Sequence, residues 1–474
     1  MSEKTFYLTT PIFYPNASPH LGHAYTTLLC DVLARYHRLT GEKTYFLTGT
    51  DEHTEKVVKA AQAAGQKPGS YLEEIVGRFK RLYAHLNVSY DQFIRTSDRN
   101  VHWPGVIEIW KRLDQSGDIY KSTYTGLYCA GCEAFLTEKD LVDGKCSDHG
   151  IAPERIEEEN YFFRLSKYTE RIKDKISSDE LRIVPETRKK EILSVLETGL
   201  QDISFSRPKE KMSWGVPVPG DESQTIYIWA DALSNYITAL GYGRDETLYK
   251  EFWPGMHVIG KDILRFHAAI WPGMLLSAGL PLPKTLLVHG FITSGGKKMS
   301  KSLGNIIDPE ELLAEYGTDA VRYFLLRHIS PFGDGDITLG QFKAVYNGEL
   351  ADGLGNTVAR IMQLAQTHLD TGTRPEPAGF PPEYVAALEG FEVNKAVEYI
   401  WSRIASLNQK ITETEPFKLV KSDAQVGKKL IFEMTQELYL IGRLLDPFMP
   451  DTSAAIKKAV LENSKPASLF PRKE

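Results

Sequence analysis

The sequence predicts an α/β fold in which a doubly wound, Rossmann-like parallel sheet is split by an insertion and followed by an all-α helical bundle. Residues 1–117 alternate strand-like and helix-like segments, and this alternation resumes from about residue 225. Beyond residue 346 the apolar residues recur with helical spacing almost throughout. Because alternating strands and helices form parallel sheets, we expect ligands to bind at the carboxyl ends of the strands.

The first half of the sheet is predicted to contain strands at 4–12, 44–48 and 92–96 and a helix at 55–64. Residues 4–12 are rich in aromatic, β-branched and threonine residues, as a buried strand is. Ser18 is then the predicted N-cap, and Pro19 the first residue, of a helix that runs to Gly41.

The second half is predicted to contain a strand at 226–229, a helix at 232–240, a strand at 256–259, a helix at 263–276 and a strand at 285–292. Asp308 then opens a further helix. The bundle is predicted from helical segments at 348–368, 385–414, 427–445 and 452–462. The expected parts of the chain are the first sheet half at 1–117, the insertion at 118–224, the second sheet half at 225–290, a linking region with the Lys298 loop at 291–346 and the bundle at 347–474.

The insertion carries three of the four cysteines together with a histidine, at Cys129, Cys132, Cys146 and His149. Two C-x2-C/H pairs can present three thiolates and one imidazole to a zinc ion, and a closed set of four ligands indicates a structural rather than a catalytic site. The alternatives are a disulfide between Cys129 and Cys132, or four residues without a metal. Cys30 stands alone within a predicted helix and is interpreted as a core residue.

Two short motifs lie far apart along the chain. His20, Gly22 and His23 fall in the first turn of the predicted helix, where free N–H groups and the helix dipole favour a phosphate. Lys298 and Lys301 follow a strand and a Ser-Gly-Gly segment that predicts a flexible loop, from which the lysines can neutralise phosphate charge. The alternatives are a capped, partly buried pair of imidazoles and a solvated basic loop.

Together, the Pro-His-Leu-Gly-His motif at 19–23 and the Lys-Met-Ser-Lys-Ser motif at 298–302 resemble the paired ATP signatures of class I aminoacyl-tRNA synthetases. Within that group the chain resembles the methionyl-tRNA synthetase family nearly from end to end, most clearly in the segments 10–15, 49–53, 227–233 and 260–263. This resemblance implies ATP-dependent attachment of methionine to tRNA(Met) through a methionyl-adenylate, with Mg2+ accompanying ATP and structural Zn2+ in the insertion.

The resemblance also assigns roles to single residues. Catalysis would involve His20, His23, Lys298 and Lys301. The ATP-binding residues would be Gly22, Asp262, Lys298, Met299, Ser300 and Lys301. The methionine-binding residues would be Asp51 for the ammonium group and, around the thioether, Ile12, Tyr14, Trp229, Ala232, Tyr236, Ile263 and His267. From spacing alone, the residues from Trp229 to Tyr236 could equally form a core face, and Asp51 could cap a helix.

The bundle would read the anticodon through Asn356, Arg360 and Phe417 if the resemblance holds there. Asn356 and Arg360 are four residues apart and share one face of a predicted helix. Phe417 stands in Glu415-Pro416-Phe417, where the family has Ala-Pro-Trp. A phenylalanine can stack on an unpaired base but lacks the indole N–H donor, so looser discrimination is expected at this position.

Composition excludes several classes of protein. The formal charge of −6, 42% hydrophobic and 25% charged residues are typical of a globular enzyme rather than of a chain that is basic throughout. No apolar stretch approaches a membrane span, so we expect no membrane partner and a cytoplasmic location. The chain ends soon after the bundle, which favours a monomer. The alternative functions are another class I synthetase, a nucleotidylyltransferase of the same superfamily, or a non-catalytic RNA-binding protein.

Overall fold

The computed structural model describes residues 4–129, 134–136, 141–147, 150–298, 307–375 and 379–474. Its strands are β1 (Thr5–Phe13), β2 (Lys43–Thr50), β3 (Gln92–Arg95), β4 (Ile119–Cys129), β5 (Ala134–Leu136), β6 (Leu141–Val142), β7 (Lys145–Cys146), β8 (Glu154–Phe163), β9 (Arg182–Val184), β10 (Ile203–Ser204), β11 (Ser206–Pro208), β12 (Pro217–Val218), β13 (Asp221–Ile226), β14 (Met256–Gly260), β15 (Thr285–His289), β16 (Ile292–Ser294), β17 (Lys297–Lys298) and β18 (Gly335–Asp336).

The α-helices are α1 (Leu21–Leu39), α2 (Glu55–Ala63), α3 (Pro68–His85), α4 (Trp103–Gln115), α5 (Thr169–Ser177), α6 (Glu186–Glu197), α7 (Trp229–Ala232), α8 (Asn235–Thr238), α9 (Thr247–Phe252), α10 (Trp271–Ala278), α11 (Pro309–Tyr316), α12 (Thr318–His328), α13 (Leu339–Val345), α14 (Asn356–His368), α15 (Pro382–Glu389), α16 (Val393–Thr414), α17 (Pro416–Ser422), α18 (Ala424–Leu445) and α19 (Pro450–Glu462). Short 3-10 helices cover Leu165–Tyr168 and Lys261–Ile263, and π-helices cover Phe266–Ile270 and Tyr346–Gly355.

The chain divides into two compact units, each built from separate stretches of sequence. The first unit comprises Met1–Pro19, Glu42–Lys80 and Tyr90–Val288. The second comprises His20–Gly41, Arg81–Ser89 and His289–Glu474. The first unit holds the sheet and the insertion, and the second holds α1 together with the helical carboxyl-terminal region.

The first unit is organised around a six-stranded sheet with the order β3-β2-β1-β14-β15-β9. The pairs β1/β2, β2/β3, β1/β14 and β15/β9 are parallel, so the predicted parallel α/β sheet is confirmed. The strand order reverses between β1 and β14, the position at which such sheets bind ligands. A large apolar core, with Trp271, Phe163 and Leu286 among its buried residues, lies in this unit.

Two details of the predicted sheet are wrong. The strand predicted at 226–229 is absent, because β13 ends at Ile226 and pairs with β11 and β12 in a separate antiparallel sheet, while Trp229 begins α7. A short apolar run does not distinguish a strand from a buried helical turn. In addition, β9 lies within the segment predicted as the insertion, yet it pairs with β15 at the edge of the main sheet.

The rest of the insertion forms small antiparallel sheets. The longest pairing joins β4 to β8 over ten residue pairs, from Ile119 with Phe163 to Tyr128 with Glu154. Strand β10 flanks β8, and β5 flanks β4 in the same sheet. The two-stranded hairpin of β6 and β7 follows β5 along the chain and includes Cys146.

The second unit contains the predicted helical bundle, and the described residues of 347–474 include no strand. Helices α14, α16, α18 and α19 form its core, with α17 packed against α18. The structure breaks two predicted helices. A π-helix replaces the start of the 348–368 segment, and Phe391 takes a positive φ of 61° between α15 and α16.

A fully buried ion pair holds the second unit together. Arg322 donates one hydrogen bond to Asp31 on α1 and three more to the backbone carbonyls of Leu86, Pro447 and Phe448. Burial alone would raise the pKa of Asp31, but Arg322 and Arg35 lower it. Such a pair is costly to disrupt because the remaining charge would be buried without compensation.

No helix in the described part of the chain combines the length and the apolar character that crossing a membrane requires.

Candidate active site

The histidine pair of the second unit forms the cap of α1. His20 is the N-cap residue, and its Nδ1 accepts a hydrogen bond of 3.1 Å from the backbone N–H of Gly22. The Nδ1 of His23 accepts one of 3.1 Å from the backbone N–H of His20. The two rings stack with centroids 3.8 Å apart. Imidazoles thus replace the side chains of an ordinary capping box.

This capping arrangement fixes the tautomers of both rings. A nitrogen that accepts a hydrogen bond carries no proton, so the proton of each neutral imidazole lies on Nε2. Burial and the neighbouring His20 lower the pKa of His23 well below its usual range, which favours the neutral form of that ring. Both rings therefore carry their proton as an Nε2–H group at a helix N-terminus.

The predicted start of α1 is wrong by two residues. Ser18 is not the N-cap and Pro19 is not helical, because the imidazole of His20 caps the helix. Within the first unit, Ser18 Oγ instead accepts a hydrogen bond of 2.5 Å from Arg78. Gly22 has a local role, since a Cβ at this position would lie 2.9 Å from Cε1 of His20. The predicted end of α1 is confirmed by Gly41, which has a φ of 85°.

His289, a residue that the sequence analysis did not single out, lies beside the first turn of α1. Its Nδ1 is 2.7 Å from the carbonyl oxygen of Gly290, and its Nε2 is 2.8 Å from Thr26 Oγ1. Thr26 also donates to the carbonyl of Gly22. The ring of Tyr25 packs edge-on against His289. His289 is thus linked to the carbonyl of Gly22 through the hydroxyl of Thr26.

The glycine pair before Lys298 forms a tight turn, and most of the flexible loop predicted to follow it lies outside the described residues. Strands β16 and β17 pair antiparallel, with Thr293 opposite Lys298. Gly295 and Gly296 have φ values of 61° and 71°, as a type I′ hairpin requires. The Gly296 N–H donates to Asp336 at 2.8 Å. Three predicted residues of this motif, Met299, Ser300 and Lys301, lie outside the described residues.

In the first unit, predicted methionine-binding residues follow the ends of neighbouring strands. Ile12 lies opposite Gly49 in the pairing of β1 with β2, and Tyr14 follows β1 directly. Asp51 follows β2, is buried, and donates its backbone N–H to the carbonyl of Phe13 at 2.9 Å. The alternative that Asp51 caps a helix is wrong, because Thr54 is the N-cap of α2.

Aromatic rings lie close together around His267 and Trp229. His267 lies in a single π-helical turn, and its Nδ1 is 2.9 Å from the carbonyl of Ile263. Nδ1 is therefore the donor, so Nε2 accepts from the hydroxyl of Tyr236 at 2.6 Å. Burial lowers the pKa of His267 to about 4 and keeps the ring neutral. Trp229 stacks on Phe266, with centroids 3.6 Å apart.

The structure brings most of the predicted thioether residues into one apolar cluster. Tyr236 belongs to the core of the first unit, and Ile12, Trp229 and Ile263 pack against it. Trp229 also packs, together with Tyr14, against a smaller cluster that contains Tyr227. Ala232 is buried, whereas Asp262, the residue predicted near the ATP ribose, is exposed in the 3-10 helix after β14.

In the same unit, a buried carboxylate that the sequence analysis left without a role lies between two histidines. Asp231 is 2.7 Å from Nδ1 of His53 and 2.9 Å from Nε2 of His102. Burial alone would raise the pKa of Asp231, but the two histidines lower it to about 2. His102 Nδ1 is 2.7 Å from Thr238 Oγ1. No spacing in the sequence signals this cluster, since its members are 129 and 178 residues apart.

Two of the four predicted zinc ligands are described. Cys129 ends β4, Cys146 lies in β7, and both are buried. The Gly150 N–H donates a hydrogen bond of 2.8 Å to the Cys146 carbonyl. Cys132 and His149 lie outside the described residues. Within the described ranges, no group of three or more acidic, cysteine or histidine residues is placed to hold a metal.

The predicted anticodon residues lie on the surface of the bundle. Asn356 is the first residue of α14, and Arg360 lies one turn later on the same exposed face. Phe417 is exposed near the start of α17, which packs against α14. The Lys418 ammonium lies 6.0 Å from the centre of the Phe417 ring.

Comparisons with known proteins agree along nearly the whole chain. The family model described as tRNA synthetases class I (M) matches residues 6–151 and 137–362. A methionine–tRNA ligase of Clostridium acetobutylicum is 43% identical over 96% of this chain and 73% of its own length. A methionine–tRNA ligase of Thermotoga maritima is 39% identical over 98% of this chain and 76% of its own.

Solved structures of methionyl-tRNA synthetases also match nearly the whole chain. The methionyl-tRNA synthetase of Mycobacterium tuberculosis in complex with methionyl-adenylate matches with a TM-score of 0.90 and 36% identity, covering 99% of this chain and all of the other. The free form of the enzyme from that organism matches with a TM-score of 0.83 and 33% identity, covering all of this chain and 99% of the other.

Proposed function

The chain belongs to the methionyl-tRNA synthetase family, and we propose that its two units divide the reaction, with methionine recognised by the first unit and the ATP phosphates handled by the second. The enzyme activates methionine with ATP and charges tRNA with it. The observation that carries the proposed division is the pair of imidazoles at the start of α1, whose tautomers are fixed with protons on Nε2.

The reaction has two displacement steps. First, a carboxylate oxygen of methionine attacks the α-phosphorus of ATP, the bond to the bridging oxygen breaks, and pyrophosphate leaves with its Mg2+. A hydroxyl of the terminal adenosine of tRNA(Met) then attacks the carbonyl carbon of the adenylate, and AMP leaves. Neither step needs a covalent bond to the protein, so positioning and charge stabilisation account for the catalysis.

The second unit supplies donors for the phosphates. His20 and His23 donate Nε2–H hydrogen bonds to phosphate oxygens, and the neutral form keeps the pair free of mutual charge repulsion. Gly22 allows the His20 ring to cap the helix. Lys298 and Lys301, with Met299 and Ser300 between them, neutralise the departing pyrophosphate.

The first unit supplies the methionine site. Asp51 binds the ammonium group, and Tyr236, Trp229 and His267 line the thioether site together with Ile12, Tyr14, Ala232 and Ile263. Support comes from the aromatic wall, since a thioether sulfur gains about 0.3–1.5 kcal/mol from each aromatic contact. The neutral His267 also presents no charge to an apolar side chain. Asp262 contacts the ATP ribose.

The insertion and the bundle have supporting roles. Cys129, Cys132, Cys146 and His149 hold a structural zinc ion, supported by the burial of the two described thiols. Zinc measured in the purified protein should approach one ion per chain, and Cys129→Ser should lower it. Asn356, Arg360 and Phe417 read the anticodon of tRNA(Met), supported by their exposure on neighbouring helices. The enzyme is a cytoplasmic monomer in this proposal.

The test is ATP/pyrophosphate exchange measured with each of the twenty amino acids. Methionine alone should support exchange at a high rate. A higher kcat/KM with another amino acid would assign the chain to a different synthetase, and the absence of exchange with all twenty would indicate a binding protein. Lys301→Ala should lower kcat for exchange by about a hundredfold and leave the KM for methionine nearly unchanged.

A further inference from the structure

We propose that Asp231, through its two histidine partners, is a positioning residue that sets the affinity for the ammonium group of methionine. The proposal rests on the proposed role of Asp51 as the ammonium ligand. His53 lies two residues after Asp51 in the loop that follows β2, and Asp231 lies two residues after Trp229 in α7. The carboxylate therefore ties the Asp51 loop to the helix that carries Trp229 of the proposed thioether site.

The geometry shows one anchor shared by three elements. Asp231 Oδ2 accepts from His53 and Oδ1 accepts from His102, the N-cap residue of α4. All three side chains are at least 97% buried. In the described part of the chain, no lysine or arginine pairs with Asp231, so the imidazoles alone compensate for its charge. A buried carboxylate that accepts charge-assisted hydrogen bonds holds its partners strongly.

The loop has a second set of contacts around His53, and these leave its ring little freedom. Trp103 and Trp214 pack edgewise against the His53 ring, with centroids 5.9 and 6.1 Å away. The indole N–H of Trp214 donates to the carbonyl of Glu52, and that of Trp103 donates to the carbonyl of Thr96. The hydrogen bond from His53 to Asp231 thus acts together with these contacts in fixing the loop between Asp51 and His53.

The identity of the bonded nitrogen gives a reciprocal test of this geometry. His53 contacts Asp231 through Nδ1, whereas His102 contacts it through Nε2. An asparagine amide nitrogen lies near the position of Nδ1, and a glutamine amide nitrogen lies near that of Nε2. His53→Asn and His102→Gln should therefore keep the hydrogen bond, while His53→Gln and His102→Asn should lose it.

The experiment measures inhibition of ATP/pyrophosphate exchange by two methionine analogues. L-Methioninol has the ammonium group, whereas 4-(methylthio)butyrate keeps the thioether and the carboxylate but has no amino group. In Asp231→Asn, an amide N–H faces an imidazole N–H. The inhibition constant of methioninol should rise about tenfold. The inhibition constant of the thiobutyrate and the KM for ATP should both stay within about twofold of their wild-type values.

The controls separate positioning from loss of the fold. Thermal unfolding should show that Asp231→Asn remains folded at the assay temperature. His53→Asn should keep the wild-type inhibition constant of methioninol, whereas His53→Gln should raise it. An equal rise in the inhibition constants of both analogues would overturn the proposal. The same inhibition constant of methioninol in the Asn and Gln variants of His53 would also overturn it. Failure of the wild-type chain to use methionine would instead refute the proposed function, whatever the variants do.

Discussion

The two units each contain a pair of histidines, and the pairs are used in opposite ways. In the first unit, His53 and His102 are separated by the carboxylate of Asp231, to which both are hydrogen bonded. In the second unit, His20 and His23 stack directly and accept backbone N–H groups at Nδ1. A pair around a carboxylate holds parts of the fold in place. A pair that caps a helix carries its protons on Nε2, where they can serve an anionic ligand.

The largest effect is expected from separating the two functions of the His23 ring. In His23→Asn the side-chain oxygen can still accept from the His20 N–H, but the Nε2–H donor is lost. We expect kcat for exchange to fall by about a hundredfold or more, with the unfolding temperature nearly unchanged. Steady-state exchange and thermal unfolding check this result.

His23→Ala is the matched control, since it removes both the Nε2–H donor and the acceptor for the His20 N–H. It should show the same loss of kcat and, in addition, a loss of about 1 kcal/mol in the free energy of unfolding. Equal destabilisation by the Asn and Ala variants would mean that the capping geometry does not hold the helix start.

The next effect concerns the buried imidazole of the methionine site. His267 has a pKa of about 4 in the folded chain, against 6.5 without burial. As the pH falls below 6.5, the unfolded chain binds a proton that the folded chain does not, so the stability falls until pH 4. The loss amounts to about 3 kcal/mol over this window and is absent above it.

Chemical denaturation at several pH values measures this loss, with His267→Gln as the control without the titrating group. The difference in the free energy of unfolding between wild type and variant should change between pH 6.5 and 4 and stay constant from pH 7 to 8. Asp231 acts in a separate window, because its depressed pKa of about 2 contributes stability that is lost only from pH 3.8 downward. A flat difference across pH 6.5 to 4 would contradict a neutral, buried His267.

A smaller effect is expected from Tyr236→Phe, which removes the hydroxyl that donates to His267 Nε2. The buried nitrogen then has no donor at that position, and we expect the KM for methionine to rise about tenfold with the KM for ATP unchanged. Exchange kinetics with each substrate varied in turn provide the measurement. An equal rise in both KM values would place Tyr236 outside a site specific for methionine.

The smallest effect should come from Gly295→Asn in the hairpin before Lys298. Asparagine tolerates a positive φ and is favoured in type I′ turns, so stability and kcat should change little. Gly295→Val is the contrasting variant, because a β-branched residue at this φ costs about 1–2 kcal/mol. Similar behaviour of the two variants in thermal unfolding would argue against the tight turn.

The parts of the site that the sequence predicted are those encoded locally. The His20 and His23 motif, the residue that ends α1 and the ends of β1 and β2 all depend on neighbours a few residues away. The exact N-cap was missed because His20 takes the position for which a serine such as Ser18 is usually preferred. N-cap preferences do not predict two imidazoles in a capping box.

What the sequence could not predict depends on contacts between distant segments. His53, His102 and Asp231 come together only after the strand ends and α7 are assembled, and β9 joins the main sheet from within the insertion. The strand predicted at 226–229 failed for the same reason, since Ile226 ends β13 in a separate antiparallel sheet and Trp229 begins α7.

The most direct test of the division between the units is a comparison of two variants in one assay, Tyr236→Phe from the first unit and His23→Asn from the second. Exchange kinetics should give a raised KM for methionine with little change in kcat for Tyr236→Phe, and a lowered kcat with little change in that KM for His23→Asn. If both variants alter the same kinetic constants to the same extent, the division of methionine recognition and ATP handling between the two units is wrong.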